Sequence, residues 1–436
     1  MSIDRRRARY ALGLLVLLHV INYVDRQILA VLLVPIQQEL QVSDTAMGFL
    51  SGLAFALFYT TAGVPIARIA DRGVRRDVIV WGTIVWSAMT ALCGVTRSFA
   101  QLAAARIGVG IGEASLHPSA HSLISDFFPP NRRATALGIF NIGGNVGVMF
   151  GFIAGGYLGE TFGWRAAFLV VGLPGLAAAL LTRLTLHEPA RGLSDGRVDD
   201  GTNPSFREVV TYMFARKTIR HIGLAAAFYV FAAYGFTIWG ATFLIRVHGL
   251  SLAQTGLWMG LVQGVGGGLG TFLGGFVADR LAGRDPRFLC WIPALGGLIA
   301  LPLLTVFLFA PTAPIALVGY APAMLFSLFF VGPTYALVQS LARLRMRAQA
   351  AALVLLTMNL IGLGVAPLMV GALNDALELR FGAEAVRYSL LATGATSLWA
   401  VVHSLLAARS VRADLAAMAA ETTSTAAAGQ LAGSTA

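Results

Sequence analysis

The sequence predicts an all-α membrane protein of twelve transmembrane helices in two pseudo-symmetric six-helix bundles, and three observations predict it. Of the 436 residues, 57% are hydrophobic and only 12% charged, against roughly one quarter charged in an ordinary soluble domain. Apolar stretches of 20 or more residues recur, long enough to cross about 30 Å of hydrocarbon as helix. Backbone in lipid must bond to itself, so helices are the natural spanning element. The halves also repeat: "ARIADRGVRR" at 67–76 matches "GFVADRLAGR" at 275–284, and "NRRATAL" has a counterpart in "RMRAQAAAL". The repeat sets Asp71-Arg72 and Asp279-Arg280 208 residues apart. Six spans related to six others is a transporter architecture, with the substrate site expected between the halves near the midplane.

The expected spans are 10–36, 45–69, 77–96, 99–125, 132–158, 164–186, 218–245, 252–278, 288–310, 314–341, 348–374 and 386–408. They divide the chain into an N-terminal bundle (1–186), a linker (187–217), a C-terminal bundle (218–410) and a tail (411–436). The linker is the longest polar stretch, and the small polar residues of the tail predict disorder. The charge of +11 is not a nucleic-acid face. With the N-terminus inside, 25 of the 32 Lys and Arg fall in internal loops and tails, five lie outside and two lie within spans. That bias sets both termini on the cytoplasmic side of a plasma membrane, a bacterial inner membrane here. "MSIDRRRARYALGLL" reads as a retained first helix, since its apolar run is too long for a signal peptide and is interrupted by charge. Cys93 and Cys290 fall inside spans, which indicates neither a disulfide framework nor a metal site.

Four acids and arginines lie deep in the spans: Asp25, Arg26, Arg106 and Glu113. Each costs roughly 2.5–3.5 kcal/mol at a helix centre on insertion scales, so they are expected to face one another or water. Span four runs outside to inside and carries Arg106, Glu113, His117 and His121 at spacings of 7, 4 and 4, which share one helical face. Span one presents His19, Asn22 and Arg26 at spacings of 3 and 4. Two polar stripes at one depth suggest a wet cavity wall; a structural Arg26–Glu113 pair locking two helices is the alternative. Arg26 suits an anionic head group, because its planar fork stays charged and binds carboxylate or phosphate through two hydrogen bonds. Asp25 and Glu113 are the expected proton carriers, with Asn22 and His117 beside the substrate. The C-terminal half offers Tyr229, Tyr234, Tyr335 and Gln339 in aromatic and aliphatic surroundings, a wall suited to the tail of an amphiphile.

The loop repeat resembles the signature between the second and third helices of the major facilitator superfamily: a small residue, three others, Asp-Arg, then a basic pair. Gly275 begins the second copy, while the first has Ala67 there and Val74 where Gly is usual. "NYVDR", "RIGVGIGEAS", "RRATALG" and "GWRAAF" extend the resemblance through most of the N-terminal half. "NYVDR" with "GEASLHPSAHSLISDFF" is most similar to the spinster-like branch, whose animal members export lysolipids or sphingolipid phosphates. "NY-x-DR" is shared with bacterial organic-anion:proton symporters, the competing resemblance. The major facilitator fold implies alternating access, with Asp71, Arg72, Arg75 and Arg76 and their counterparts Asp279, Arg280 and Arg284 stabilising one state. It further implies no cofactor, a proton as the driving ion, membrane lipid and a small amphiphilic or anionic substrate as partners, and a monomer.

Other readings are weaker. "HSLISD" has the His-x4-Asp spacing of glycerolipid acyltransferases but continues a membrane helix without a partner motif. His117 and His121 have the spacing of a metal pair but lack a third ligand. "GVGIG" follows no strand, and no phosphate-cradling Walker sequence occurs, so neither a dinucleotide nor ATP is expected. Gly143, Gly147, Gly151 and Gly155 predict close helix packing in span five, as does "GVGGGLGTFLGG" in span eight. A transport-dead receptor on the same fold is the remaining alternative from another functional class.

Overall fold

The computed structural model describes residues 5–189, 205–343 and 346–434. The N-terminal half comprises α1 (Arg5–Leu40), α2 (Asp44–Ser51), α3 (Leu53–Arg72), α4 (Arg75–Cys93), α5 (Phe99–Glu113), α6 (Leu116–Phe127) and α7 (Pro130–Thr185). The short α8 (Phe206–Ala215) precedes the second half, which opens with α9 (Lys217–Arg246), α10 (Leu252–Leu261) and α11 (Gly267–Ala282). It continues with α12 (Phe288–Phe309), α13 (Ala313–Ser327), α14 (Val331–Leu341), α15 (Arg347–Thr357), α16 (Ala366–Phe381) and α17 (Ala385–Ser434). Single π-helical stretches, Val262–Gly266 and Met358–Val365, join α10 to α11 and α15 to α16.

These helices compose the twelve spans. Eight helical stretches among the described residues are long and apolar enough to cross a membrane. Two of them, Thr135–Thr185 and Gln349–Glu421, each hold two spans, turning at Gly163 (φ 82°) and Gly382 (φ 54°), a backbone conformation that favours glycine. The remaining two spans are α4 and the broken rod α5–α6. Ser43, Ser98, Ser205 and Ser251 start α2, α5, α8 and α10 by accepting a backbone N–H from the first turn, Ser251 within a reciprocal capping box with Gln254. The fourth and tenth spans break at equivalent places, after Glu113 and at Leu328–Phe330, so the repeat extends to helix irregularities.

Two segments carry helix that the sequence reading did not assign. Residues 205–217, assigned to the linker, are largely the amphipathic helix α8, whose Val209 and Met213 are buried against the second bundle; residues 190–204 lie outside the described residues. The tail is helical through Ser434. Its alanine-rich sequence has the highest intrinsic helix propensity, and Glu421 pairs with Arg216 and Arg343 while accepting from Tyr212. Nearby, the Arg287 backbone N–H and the guanidiniums of Arg287 and Arg412 hold the carboxyl of loop residue Asp285 down to about 2.

The span-five stripe packs within its bundle, and of the span-eight stripe Gly270 and Gly274 likewise meet Leu325 and Phe329 of their own bundle, while Gly264 and the earlier Gly256 and Gly260 meet α7. On α7 a Cβ added at Gly147 would stand 2.5 Å from the Val20 carbonyl, and Gly143, Gly151 and Gly155 meet α1 likewise, so this stripe packs one bundle internally. Gly256, Gly260 and Gly264 press on the other side of α7, and a Cβ at Gly256 would lie 2.3 Å from the Phe152 carbonyl and 2.9 Å from Gly156 Cα. That contact joins the bundles. Gly256→Val is expected to hold them apart there, read as faster maleimide labelling of a cysteine introduced at buried Phe152; unchanged labelling would mean that the rods absorb the branch by sliding.

Candidate functional site

The face carrying the start of α1, the α3–α4 turn and the end of α7 is called the terminal face, and the other the opposite face. At mid-depth, α1 and α5 bring Arg26 against Glu113. Arg26 donates from Nε (2.9 Å) and Nη2 (2.5 Å) to the same oxygen, Oε2. Arg26 is 8% exposed and Glu113 fully buried, and Oε1 of Glu113 has no hydrogen-bond partner among the described residues. The guanidinium sits among Tyr23, Phe55 and Tyr59, 4.8–5.0 Å from each ring centroid, an arrangement favoured by the negative ring faces. Phe55 and Tyr59, one turn apart on α3, were not singled out by the sequence reasoning. The signal was present in "FALFYTT" following a span that carries a lone arginine.

Arg26 and Glu113 face the second bundle. Tyr234 of α9 lies close enough to feel the charge of Arg26, and Tyr335 of α14 lies near Tyr23 and Tyr59. Both tyrosines are half-buried, and Gln339 is partly exposed one turn beyond Tyr335. The buried Asn22 side chain neighbours Glu113. His117 lies one turn past Glu113 toward the terminal face, in edge contact with His19.

Two residues sit elsewhere. Tyr229, expected beside the substrate, is buried inside the second bundle, where its hydroxyl donates to the Pro293 carbonyl (2.9 Å) and its ring stacks on Phe330. It points away because five positions separate it from Tyr234, about 140° around a helix of 3.6 residues per turn. Asp25 does not share the face of Arg26: it is fully buried behind it, near Trp86, Thr90 and Arg106. Arg106 donates to the Asp25 backbone carbonyl (3.3 Å), and among the described residues the carboxylate oxygens have no partner within hydrogen-bond distance.

The bundles meet most tightly at the opposite face. Arg246 at the end of α9 clamps Asp44 at the start of α2 with two bonds (2.6 and 2.7 Å), and Asn374 of α16 donates to the same carboxylate (2.8 Å). Asp375 of α16 accepts the backbone N–H groups of Asp44 (2.9 Å) and Thr45 (2.8 Å), so one bundle supplies the anion for the N-terminus of a helix in the other. Sequence reasoning missed this lock. Toward the terminal face, α3 packs on the π-helical Met358–Val365 stretch but hardly on α15, and its Val64 and Ile69 are exposed.

Of the expected gating residues, Arg75 is buried. It pairs with Asp126 of the first bundle and Glu188 of the linker (2.7 Å) and donates to Ser122 (2.9 Å). Arg76 pairs with Asp77 (2.9 Å), while Arg72, Asp279, Arg280 and Arg284 are exposed. The side chain of Asp71 lies outside the described residues. No group of three or more metal-ligating side chains occurs among the described residues.

A family model described as Major Facilitator Superfamily matches residues 15–367. An MFS-type efflux pump of Mycolicibacterium smegmatis (strain ATCC 700084 / mc(2)155) is 34% identical over 412 residues, 94% of this chain and 95% of the relative. A probable L-galactonate transporter of Escherichia coli (strain K12) is 28% identical over 336 residues, 74% of this chain and 73% of the relative. The crystal structure of a bacterial homolog to the human lysosomal transporter spinster, inward-facing and unoccupied, superposes with a TM-score of 0.86 at 31% identity, covering 94% of this chain and 99% of that one.

Proposed function

Since the chain belongs to the major facilitator superfamily and is similar to its spinster-like branch, we propose that it carries an amphiphilic organic anion, of lysolipid or sphingolipid-phosphate type, across the membrane with a proton as driving ion. The observation that carries this reading is the Arg26–Glu113 pair inside an aromatic box at the junction of the bundles. The guanidinium keeps its charge, whereas its partner can take a proton. An anion arriving at Arg26 competes with Glu113. Protonation at the free Oε1 hands Arg26 to the substrate, so the buried charge stays balanced with one anion and one proton aboard. Asp25, buried against Arg106, is the second candidate carrier. Tyr234 and Tyr335 supply hydroxyls at the head group, while the apolar walls take the tail.

The positive-inside bias makes the terminal face cytoplasmic, with both termini there. The lock at Asp44, Arg246 and Asp375 then closes the outside, and the chain, acting as a monomer in a bacterial inner membrane, faces inward.

Flux into proteoliposomes under a pH gradient tests the reading. Sphingosine-1-phosphate is expected to be carried and to be displaced by lysolipids but not by L-galactonate. Arg26→Ala is expected to abolish uptake. Binding without flux would make the protein a receptor, and selective uptake of L-galactonate would move the substrate to the small organic anions named for the Escherichia coli relative.

A further inference from the structure

Below the ion pair, three histidines from two helices meet around one phenylalanine. His19 of α1 stacks on Phe140 of α7 with centroids 4.2 Å apart, and its ring is 4.8 Å from that of His117. His117 lies 6.1 Å from His121, and both present edges to Phe140. Exposure rises along the series, from buried His19 through half-buried His117 to exposed His121. The order also follows depth: His117 and His121 lie one and two turns past Glu113 toward the terminal face, and His19 about 10 Å below Arg26 by helix rise.

The nitrogens give this cluster a direction. Nδ1 of His19 is 2.8 Å from the Phe140 carbonyl. A carbonyl can only accept, so neutral His19 carries its proton on Nδ1 and leaves Nε2 with a free lone pair. Nε2 of His19 and Nδ1 of His117 are buried without partners among the described residues, as is Oε1 of Glu113. Buried polar atoms of this kind are ordinarily paired, and here three occur in sequence between the ion pair and the exposed ring of His121.

We propose that His121, His117 and His19 form a proton path joining Glu113 to the terminal face. The proposal rests on the proton-coupled reading above and adds the route. His121 takes a proton from water, His117 receives it and passes it to Oε1 of Glu113, and His19 bridges beside them. His121 and His117 each give up on one nitrogen what they gain on the other and return to neutral, while His19, its Nδ1–H held by the Phe140 carbonyl, takes and returns a proton at Nε2 alone. Only N–H and O–H bonds form and break, and Glu113 ends as the neutral acid, releasing Arg26. The charged and titratable groups facing this route are Tyr23, Asp25 and Arg26 on α1, Tyr59 on α3, Arg106 on α5, Tyr234 on α9 and Tyr335 on α14, with Arg75 and Asp126 at its terminal end.

The test compares two rates in proteoliposomes, using whichever of sphingosine-1-phosphate and L-galactonate is carried: uptake driven by a pH gradient, and self-exchange of the same probe at equal pH, which needs no net proton transfer. His121→Phe keeps an aromatic ring beside Phe140 and is expected to slow gradient-driven uptake by about tenfold, below the 10²–10⁴ typical of a positioned acid–base group, while self-exchange stays unchanged and free imidazole added at the terminal face restores the uptake. His117→Phe should slow gradient-driven uptake at least as much. In His121→Phe, equal losses in both rates, or no loss in either, overturn the path. If Glu113→Gln retains gradient-driven uptake, the proton-coupled reading falls and the path with it. If Glu113→Gln loses it while both histidine variants keep it, the path alone falls. Flux of neither probe overturns the substrate reading and the path that depends on it.

Discussion

Glu113→Ala is expected to cost about 3–5 kcal/mol of folding stability, the penalty for leaving a buried charge without its partner. Both bonds from Arg26 converge on one Glu113 oxygen, and the guanidinium is only 8% exposed, so water cannot take over the role of the carboxylate. Glu113→Gln keeps an acceptor in the same place and is expected to cost less. Replacing the pair together, Arg26→Met with Glu113→Leu, should restore stability to near the parent value or above it, because burying two charges is itself expensive. Thermal unfolding of the purified variants followed by tryptophan fluorescence gives the comparison. A double variant as unstable as Glu113→Ala would mean that the alanine opens a cavity rather than orphaning a charge. Its flux then separates structure from transport: a stable double variant that still carries substrate would reduce the pair to a clamp between α1 and α5.

How much of this was legible depends on where charge is scarce. Arg26 and Glu113 could be paired from the sequence because ionised groups inside an apolar span must find each other or water. The repeat of the Asp-Arg loops likewise set the two bundles before any coordinate was known. Asp25 was harder to place. It adjoins Arg26 in sequence, but successive residues point about 100° apart on a helix, and Asp25 turns toward α4 and α5 instead. Tyr229 and Tyr234 were conflated for the same reason. Tyr229 fills a buried position and satisfies its hydroxyl within its own bundle, so its type alone said nothing of its direction. The lock was not legible at all. Asp44 and Arg246 lie at helix ends, where charge is ordinary, Asp375 lies within the second half of α16, and separations of 202 and 331 positions join them. Such contacts belong to one conformational state of the chain, and a single sequence encodes all its states together.

That dependence on state makes the lock the strongest lever on the transport cycle. Asp44→Ala removes the acceptor for both Arg246 bonds, for Asn374 and for Gln37 (2.5 Å), while the backbone bonds from Asp44 and Thr45 to Asp375 remain. Truncating one partner of a hydrogen-bonded charge pair at an interface costs about 2–5 kcal/mol. The pair is unmade when the opposite face opens, so nearly the whole loss falls on the closed state. At about 1.4 kcal/mol per tenfold, the ratio of opened to closed molecules should rise at least tenfold and approach a thousandfold. Spin labels at exposed Gln38 and Leu379, one on each bundle at that face, should report a new, longer distance in Asp44→Ala. Asp375→Asn keeps a side-chain oxygen at the start of α2 but loses the charge, and a charge near a helix end is worth about 0.3–1 kcal/mol. It should therefore shift the distribution in the same direction by severalfold at most. An unchanged distribution in both variants would place the closing energy in the contact of Gly256 with Gly156 rather than in the charges. Gly256→Val would then be the variant that opens this face.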